Sequence, residues 1–193
     1  MQPGSFDESL MTEWSLWVLD QGLPRLPTTV EVGQTVPIAR FVGVRFAAVM
    51  HVQWVWSESH ENDYVSTETE LFFRLGDTWD PADGSGGASW FDPPFQRPPS
   101  IGSREVHGFT QTGSVGRGGS CQSIEGIAGV EATHIEVIDR DGTMRRPIES
   151  AFGAFIACTD GDHEATLRVL DQAGNALLTT RFSSPSFGYG RDS

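Results

Sequence analysis

The chain has 193 residues, a formal net charge of −13 at pH 7 and no lysine, so arginine supplies all 13 of its strongly basic side chains. That length suits one domain or two small ones with a real apolar core, and no apolar run approaches the roughly 20 residues that span a bilayer. A surface of this sign repels phosphate backbones and anionic headgroups, so neither nucleic acid nor membrane is an expected partner.

The amino-terminal stretch MQPGSFDESLMTEW is acidic and polar, without the positive segment and apolar core of a secretory signal. The expected location is therefore the cytoplasm. Farther along, EWSLWVLDQG and TTVEVGQTVPIARFVGV read as short strands, interrupted by glycines and prolines. No amphipathic helix of more than three turns is predicted in the chain.

Residues 45–75 carry the clearest pattern of the amino-terminal half. Apolar and polar residues alternate through two segments rich in aromatic and β-branched side chains, which is typical of strands. Paired antiparallel, they predict one long hairpin with an eight-residue connection at 57–64. In this pairing His51 shares a face with Glu68 and Glu70, either as an ordinary polar pair or as a proton relay.

The hairpin tip gathers carboxylates, an imidazole and a phenol between the two strands. Carboxylate and imidazole ligands suit Mn²⁺ or Zn²⁺, which makes Glu58, His60 and Asp63 weak metal candidates. An exposed loop, however, gives such ligands little fixed geometry. The favoured interpretation is a solvated tip, with His60 and Tyr64 as candidate contacts of a recognition loop.

Residues 76–120 are dense in Gly, Pro, Ser and Asp, which favours a long surface excursion or a linker. Within them, WDPADGSGG resembles part of a calcium loop, with Asp80 and Asp83 before a glycine. The alternating oxygen ligands and the final bidentate glutamate of such a loop are missing. A Gly-rich turn is therefore favoured over a calcium site.

The segment SWFDPPF combines aromatic side chains with two prolines. Prolines and an aspartate argue for a stiff, exposed segment, and aromatic residues on rigid loops serve as anchors of binding surfaces. Trp90, Phe91 and Phe95 are therefore candidate binding residues.

The remaining chain divides into a linker, a β unit and a tail. Residues 111–128 contain GSVGRGGS at 113–120, which lacks a P-loop ending and predicts a flexible Gly/Ser-rich linker. Residues 129–183 predict a small antiparallel β domain, with a hairpin turn at Asp141–Gly142, the buried strand AFGAFIAC and a second hairpin around Gly174. The tail, 184–193, is expected to be loose.

The two cysteines, Cys121 and Cys158, are favoured as free buried thiols in a reducing cytosol, with a disulfide across a long loop as the alternative. No Cys-x-x-Cys spacing exists, which excludes a zinc ribbon and a thioredoxin-like motif. The five histidines are scattered without ligand spacing as well. No metal and no other cofactor is therefore predicted.

A resemblance is carried by the pattern VEATHIEVIDRDG…GAFIACTDGDHEATLRVLDQAGNALL. It is similar to the carboxy-terminal β-region of uncharacterised β-sandwich proteins of high-GC Gram-positive bacteria, and it covers residues 129–182. In that group a strand ending in Asp-Gly precedes a Gly-Phe-type strand and a final hairpin. The resemblance implies a β-sandwich and brings no catalytic residues with it.

Together these patterns predict an all-β protein, an antiparallel sandwich or meander, with a β-sheet region over 1–110 and the carboxy-terminal β domain packed beside it. The predicted function is non-catalytic: a protein-binding or accessory module that acts through aromatic loops and an acidic surface. Alternatives are a structural component of a phage or other particle, a carbohydrate-binding module, and an enzyme. An enzyme would need His51, His60 or His163 beside carboxylates in a pocket. The oligomeric state stays open.

Overall fold

The computed structural model of the protein describes residues 8–26, 33–57, 62–91 and 101–183. In these ranges the chain forms one helix and eleven strands with antiparallel pairing, so the all-β prediction is confirmed. No helix in the same ranges is long and apolar enough to cross a membrane. The elements are α1 (Glu8–Gln21), β1 (Thr35–Val42), β2 (Phe46–Ser57), β3 (Asn62–Leu75), β4 (Thr78–Phe91), β5 (Val106–Gly116), β6 (Gly119–Ala128), β7 (Ala132–Asp139), β8 (Gly142–Pro147), β9 (Ala154–Asp160), β10 (Ala165–Asp171) and β11 (Ala176–Phe182).

The strands form a seven-stranded sheet in the order β1-β2-β3-β4-β5-β6-β9 and a four-stranded sheet in the order β11-β10-β7-β8. Between β4 and β5 the ladder includes the pair Asp83 and Val115. The larger sheet curls, because its last strand β9 lies against β1 and β2. One apolar cluster includes side chains of both sheets, among them Phe41, Ile124 and Leu167. The smaller sheet is therefore packed onto the larger one.

The hairpin predicted over 45–75 is confirmed as β2 and β3. Its register runs without a shift from the pair Phe46–Phe73 to the pair Ser57–Asn62. Because pairing continues this far, the connection is only 58–61, shorter than predicted, and it lies outside the described residues.

Helix α1 corrects the prediction of a strand in EWSLWVLDQG. Met11 and Val18, two helical turns apart, lie on its buried face, while Trp14 and Trp17 are exposed. Apolar residues thus occupy both faces of the helix. The spacing of apolar residues in the sequence therefore fits the two-residue period of a strand as well as the 3.6-residue period of a helix. The helix ends at Gln21, and Gly22 follows it with a φ of 96° and donates its amide to the carbonyl of Val18 at 2.9 Å.

Residues 111–128 are not a linker but the end of β5 and the whole of β6, and β4 occupies much of the predicted surface excursion. The glycines at the β5–β6 turn serve close packing, because Phe73 of β3 lies against them. A Cβ added to Gly116 or Gly118 would come within 2.5 or 2.6 Å of Phe73 atoms. A glycine-rich sequence here reflects a close approach of strands rather than flexibility.

The carboxy-terminal segment 129–183 contains both predicted hairpins and the predicted buried strand. Asp139 pairs with Gly142 across the first turn, and Gly174 adopts a φ of 85° at the second. The buried strand β9, however, pairs with β6 in the larger sheet, so the segment is divided between the two sheets. The tail, 184–193, lies outside the described residues.

Candidate functional site

Of the residues predicted at the hairpin tip, the structure describes Asp63 and Tyr64. Asp63 and Tyr64 belong to the paired strand β3, whereas Glu58 and His60 lie outside the described residues. Across the described ranges, no group of three or more His, Cys, Asp or Glu side chains is arranged to hold a metal ion. A metal or recognition site at the tip stays a prediction.

The candidates of the Gly/Pro-rich region lie mainly in β4. Asp80 pairs with Phe73 in the ladder and Asp83 belongs to the same strand, so WDPADGSGG is extended chain rather than a turn. An extended strand does not wrap oxygen ligands around one ion as a calcium loop does. Trp90 and Phe91 end this strand, whereas Phe95 lies outside the described residues.

An exposed apolar stripe instead runs along α1. Leu10, Trp14 and Trp17 are 61%, 36% and 49% exposed, and their spacing of four and three residues places them on one face of the helix. Glu13 and Asp20 are exposed along the same face. The i, i+4, i+7 spacing is the signal that sequence reasoning could have used, but the strand interpretation of this segment concealed it.

The opposite face of α1 is fixed on the outside of the larger sheet. Val18 and Leu19 pack in an apolar cluster with Ala47, Val49 and Phe72 of β2 and β3. This burial fixes the orientation of the helix and therefore the direction in which its aromatic side chains point.

The carboxy-terminal end of α1 has a second attachment. Arg40 of β1 donates to the carbonyls of Val18 and Leu19 at 3.2 and 3.3 Å, and its guanidinium pairs with Glu149 at 2.9 Å. A cation at this end of a helix also interacts favourably with the helix dipole. Both the body and the end of α1 are therefore held in place.

A buried polar cluster joins α1 to β2 and β3. The Ser15 hydroxyl lies 2.7 Å from Nε2 of His51 and also donates to Glu70, while the Thr12 hydroxyl donates to the other oxygen of Glu70 at 2.6 Å. The Trp14 ring meets the His51 ring edge-on at 6.0 Å. The strands bring His51 and Glu70 together as predicted, and the helix covers them.

The polarity of these hydrogen bonds differs from that of a serine nucleophile with its base. The Ser15 hydroxyl donates its one proton to Glu70, so it accepts from Nε2–H of His51. Catalysis needs the reverse, with the bare nitrogen facing the hydroxyl and the carboxylate on Nδ1. Nδ1 has no partner, and both Ser15 and His51 are 0% exposed, which leaves no place for a substrate.

Burial lowers the pKa of His51 to about 4, so the ring is neutral at pH 7. The Glu70 carboxylate, 4.0 Å from Nε2, would favour the charged ring, but desolvation dominates in this closed position. His163 is the other described histidine that was considered for catalysis. It lies between β9 and β10, is exposed, and contacts Arg140. The two histidines therefore belong to different places in the fold.

A second buried carboxyl group lies inside the larger sheet. Glu125 of β6 is 1% exposed, and its two oxygens and the hydroxyls of Thr69 and Ser123 form no hydrogen bond of good geometry. Burial raises the pKa of Glu125 to about 7; the two hydroxyls oppose this rise and the charge of Glu68 adds to it. This group is hence partly protonated near neutral pH.

No protein-family model, no curated protein and no solved structure significantly matches this chain. The resemblance carried by residues 129–182 accordingly stays a prediction. The geometry of the described residues is what supports a function, and its most distinctive surface is the apolar face of α1.

Proposed function

We propose that this protein is a non-catalytic binding or assembly module, and that it docks another protein through the outer face of α1. The observation that carries this proposal is the alignment of Leu10, Trp14 and Trp17 on an exposed face of a firmly held helix. The partner is a protein with an apolar groove bordered by arginine or lysine. The aromatic anchors of this proposal are Trp14 and Trp17 of α1, and the binding role of Trp90, Phe91 and Phe95 stays a prediction.

The contribution of Trp17 to the binding free energy follows from the exposed area of its side chain. Trp17, at 49% exposure, leaves about 100 Å² of mostly apolar surface for a partner to cover, worth about 2–3 kcal/mol at ~25 cal/mol per Å². Tryptophan is also the side chain most enriched among residues that dominate binding energy. Removing this ring should therefore weaken the complex by at least about 30-fold.

The negative charge around the stripe favours a partner whose groove is bordered by positive charges. Glu13 and Asp20 flank the stripe, α1 contains no basic residue, and the whole chain carries a formal charge of −13. A groove bordered by cations is attracted by this surface, whereas an acidic groove is repelled. Association should accordingly slow as ionic strength rises.

The rigidity of α1 supports its role as a binding face. Thr12 and Ser15 hold the helix to Glu70 through their hydroxyls, and Arg40 holds its end. A helix already fixed in its bound conformation loses little conformational entropy when a partner covers it. The buried cluster thus supports a preorganised binding face.

Photo-crosslinking in native cells tests the proposal. The full chain carries p-benzoylphenylalanine at position 17 or, as a matched control, at position 130, because Val130 is also apolar and is 63% exposed. Position 17 should crosslink to one partner protein. The crosslinked peptide of that partner should line an apolar groove and have basic residues beside it. The isolated pair is then measured by calorimetry with Trp17→Ser and Val130→Ser, and only the first should weaken binding.

Four outcomes would overturn the proposal. These are equal crosslinking from positions 17 and 130, crosslinking to a second copy of this chain, crosslinking to lipid or glycan, and an isolated pair whose affinity is unchanged by Trp17→Ser. A glycan adduct would instead favour the carbohydrate-binding alternative, since exposed tryptophans also stack on sugar rings.

A further inference from the structure

A cavity of about 300 Å³ lies away from α1, where the two sheets meet at one end of the molecule. The β1–β2 turn, residues 43–45, forms one side, the β7–β8 hairpin forms the other, and Cys158 and Thr159 of β9 close the floor. A volume of this size holds about ten waters and is at the lower end of the range for small-molecule sites.

The inner lining of the cavity is apolar. Phe41, Phe46 and Val137 are buried and Met144 is half-buried, so the part of the cavity farthest from water presents rings and aliphatic groups. Burial, with Cys121 as an additional cause, raises the pKa of the Cys158 thiol, which keeps this part of the floor uncharged. An apolar chain or ring fits this lining better than a sugar or a hydrated ion does.

The outer lining carries arginine side chains in a strongly acidic protein. The exposed residues Arg45 and Arg146 line the cavity together with two carboxylates, those of Asp139 and Asp141, whereas the Arg145 guanidinium reaches Gly174 at the β10–β11 turn. Both carboxylates already have partners. Asp139 accepts from the Thr159 hydroxyl at 2.7 Å and from the Asp141 amide at 2.8 Å, and Asp141 lies 3.7 Å from Nε of Arg140.

Arg146 is the guanidinium most available to a ligand. Its hydrogen bonds go to backbone oxygens, at 3.3 and 3.4 Å to Val42 and at 3.1 Å to Arg145, and it forms no ion pair with a carboxylate of the described residues. Arg45, by contrast, pairs with Asp160 at 3.2 Å and lies over the Phe46 ring. A planar guanidinium bound only to carbonyls can still receive a carboxylate through two parallel hydrogen bonds.

We propose that this cavity binds a small amphipathic carboxylate, with the carboxylate on Arg146 and the apolar part between Phe41, Phe46 and Met144. On the order of ten to fifteen non-hydrogen atoms fill the space, which corresponds to a short alkanoic acid or an arylalkanoic acid. A phosphate dianion fits less well, because the two aspartates of the lining repel its second charge.

The test is a titration of the full chain with octanoate below its micelle concentration, followed by amide NMR shifts of Gly43 and Gly142, which both lie in the lining. Octanoate should shift these amides, and 1-octanol and octyl phosphate should bind more weakly. Arg146→Gln should weaken octanoate at least about tenfold and leave 1-octanol unchanged. Arg117→Gln, at an exposed position in the β5–β6 turn, is the matched control.

A second pair of variants keeps the test valid if Arg146→Gln unfolds. Val44 lines the cavity mouth and is 73% exposed, so its replacement leaves the core intact. Val44→Glu should weaken octanoate binding and Val44→Arg should strengthen it. The proposal is wrong if octanoate shifts no cavity amide, if Arg146→Gln and Arg117→Gln bind it equally, if both Val44 variants change affinity in the same direction, or if octyl phosphate binds more tightly.

Discussion

Replacing Glu125 with glutamine removes the charge of the carboxyl group inside the larger sheet while keeping its shape. The side chain is 1% exposed, and neither of its oxygens has a hydrogen bond of good geometry. Burial raises its pKa from the ordinary 4.5 to about 7, against the effect of the hydroxyls of Thr69 and Ser123. The substitution therefore tests whether the buried carboxyl group of Glu125 lowers the free energy of unfolding at neutral pH.

The sign and size of that cost follow from the two pKa values. Below pH 4.5 the group is protonated in both states, so it costs nothing. Between pH 4.5 and about 7 the unfolded chain releases the proton while the folded chain keeps it, and stability falls as pH rises. At about 1.4 kcal/mol per pH unit, the loss reaches about 3 kcal/mol and stays constant above pH 7.

Urea unfolding of the wild-type chain and of Glu125→Gln measures this difference directly. The two free energies of unfolding should be similar at about pH 4.5, and the variant should be more stable by about 3 kcal/mol at about pH 8. Glu13→Gln, which removes an exposed carboxylate from α1, controls for the loss of one surface charge. A gain that is equal at both pH values, or a variant that is less stable at both, would refute the reasoning.

The remaining predictions concern the cluster under α1 and the two thiols. Burial lowers the pKa of His51 to about 4, so as pH falls from 6.5 to about 4 the unfolded chain takes up a proton that the folded chain does not bind, and the free energy of unfolding falls. Over this interval His51→Gln should lose about 3 kcal/mol less of that free energy than wild type in urea titrations. Ser15→Ala leaves His51 and Glu70 without their shared hydroxyl and should lower the free energy of unfolding at pH 7 by about 1–3 kcal/mol; an unchanged value would show that α1 is held by packing alone. Cys121 and Cys158 are free and buried, so intact mass spectrometry should find no alkylation by iodoacetamide until the chain is unfolded, whereas a two-proton mass deficit would reveal a disulfide.

The local sequence determined two kinds of feature in this protein: strands with one buried face, and turns that require a particular residue type. Period-two alternation specifies the β2–β3 hairpin because a slip of one residue would turn its apolar set toward water, and it placed His51 opposite Glu68. The carboxy-terminal turns follow from Gly142 and Gly174, which adopt the positive φ that these turns require. These features depend on neighbours in the chain or on one partner strand.

Tertiary packing decided the rest, because the same residues carry a different meaning once other elements cover them. Trp14 and Trp17 put apolar side chains on the exposed face of α1, so the segment lacks the polar outer face that marks a surface helix. Only the docking of that helix makes His51 a fully buried residue rather than a half-exposed sheet residue. The glycines of the predicted linker are close contacts of Phe73, and Glu125 becomes a costly interior group only because the sheet curls around it. Contacts between residues this far apart in the chain depend on how the sheets close, which local alternation and turn chemistry do not encode.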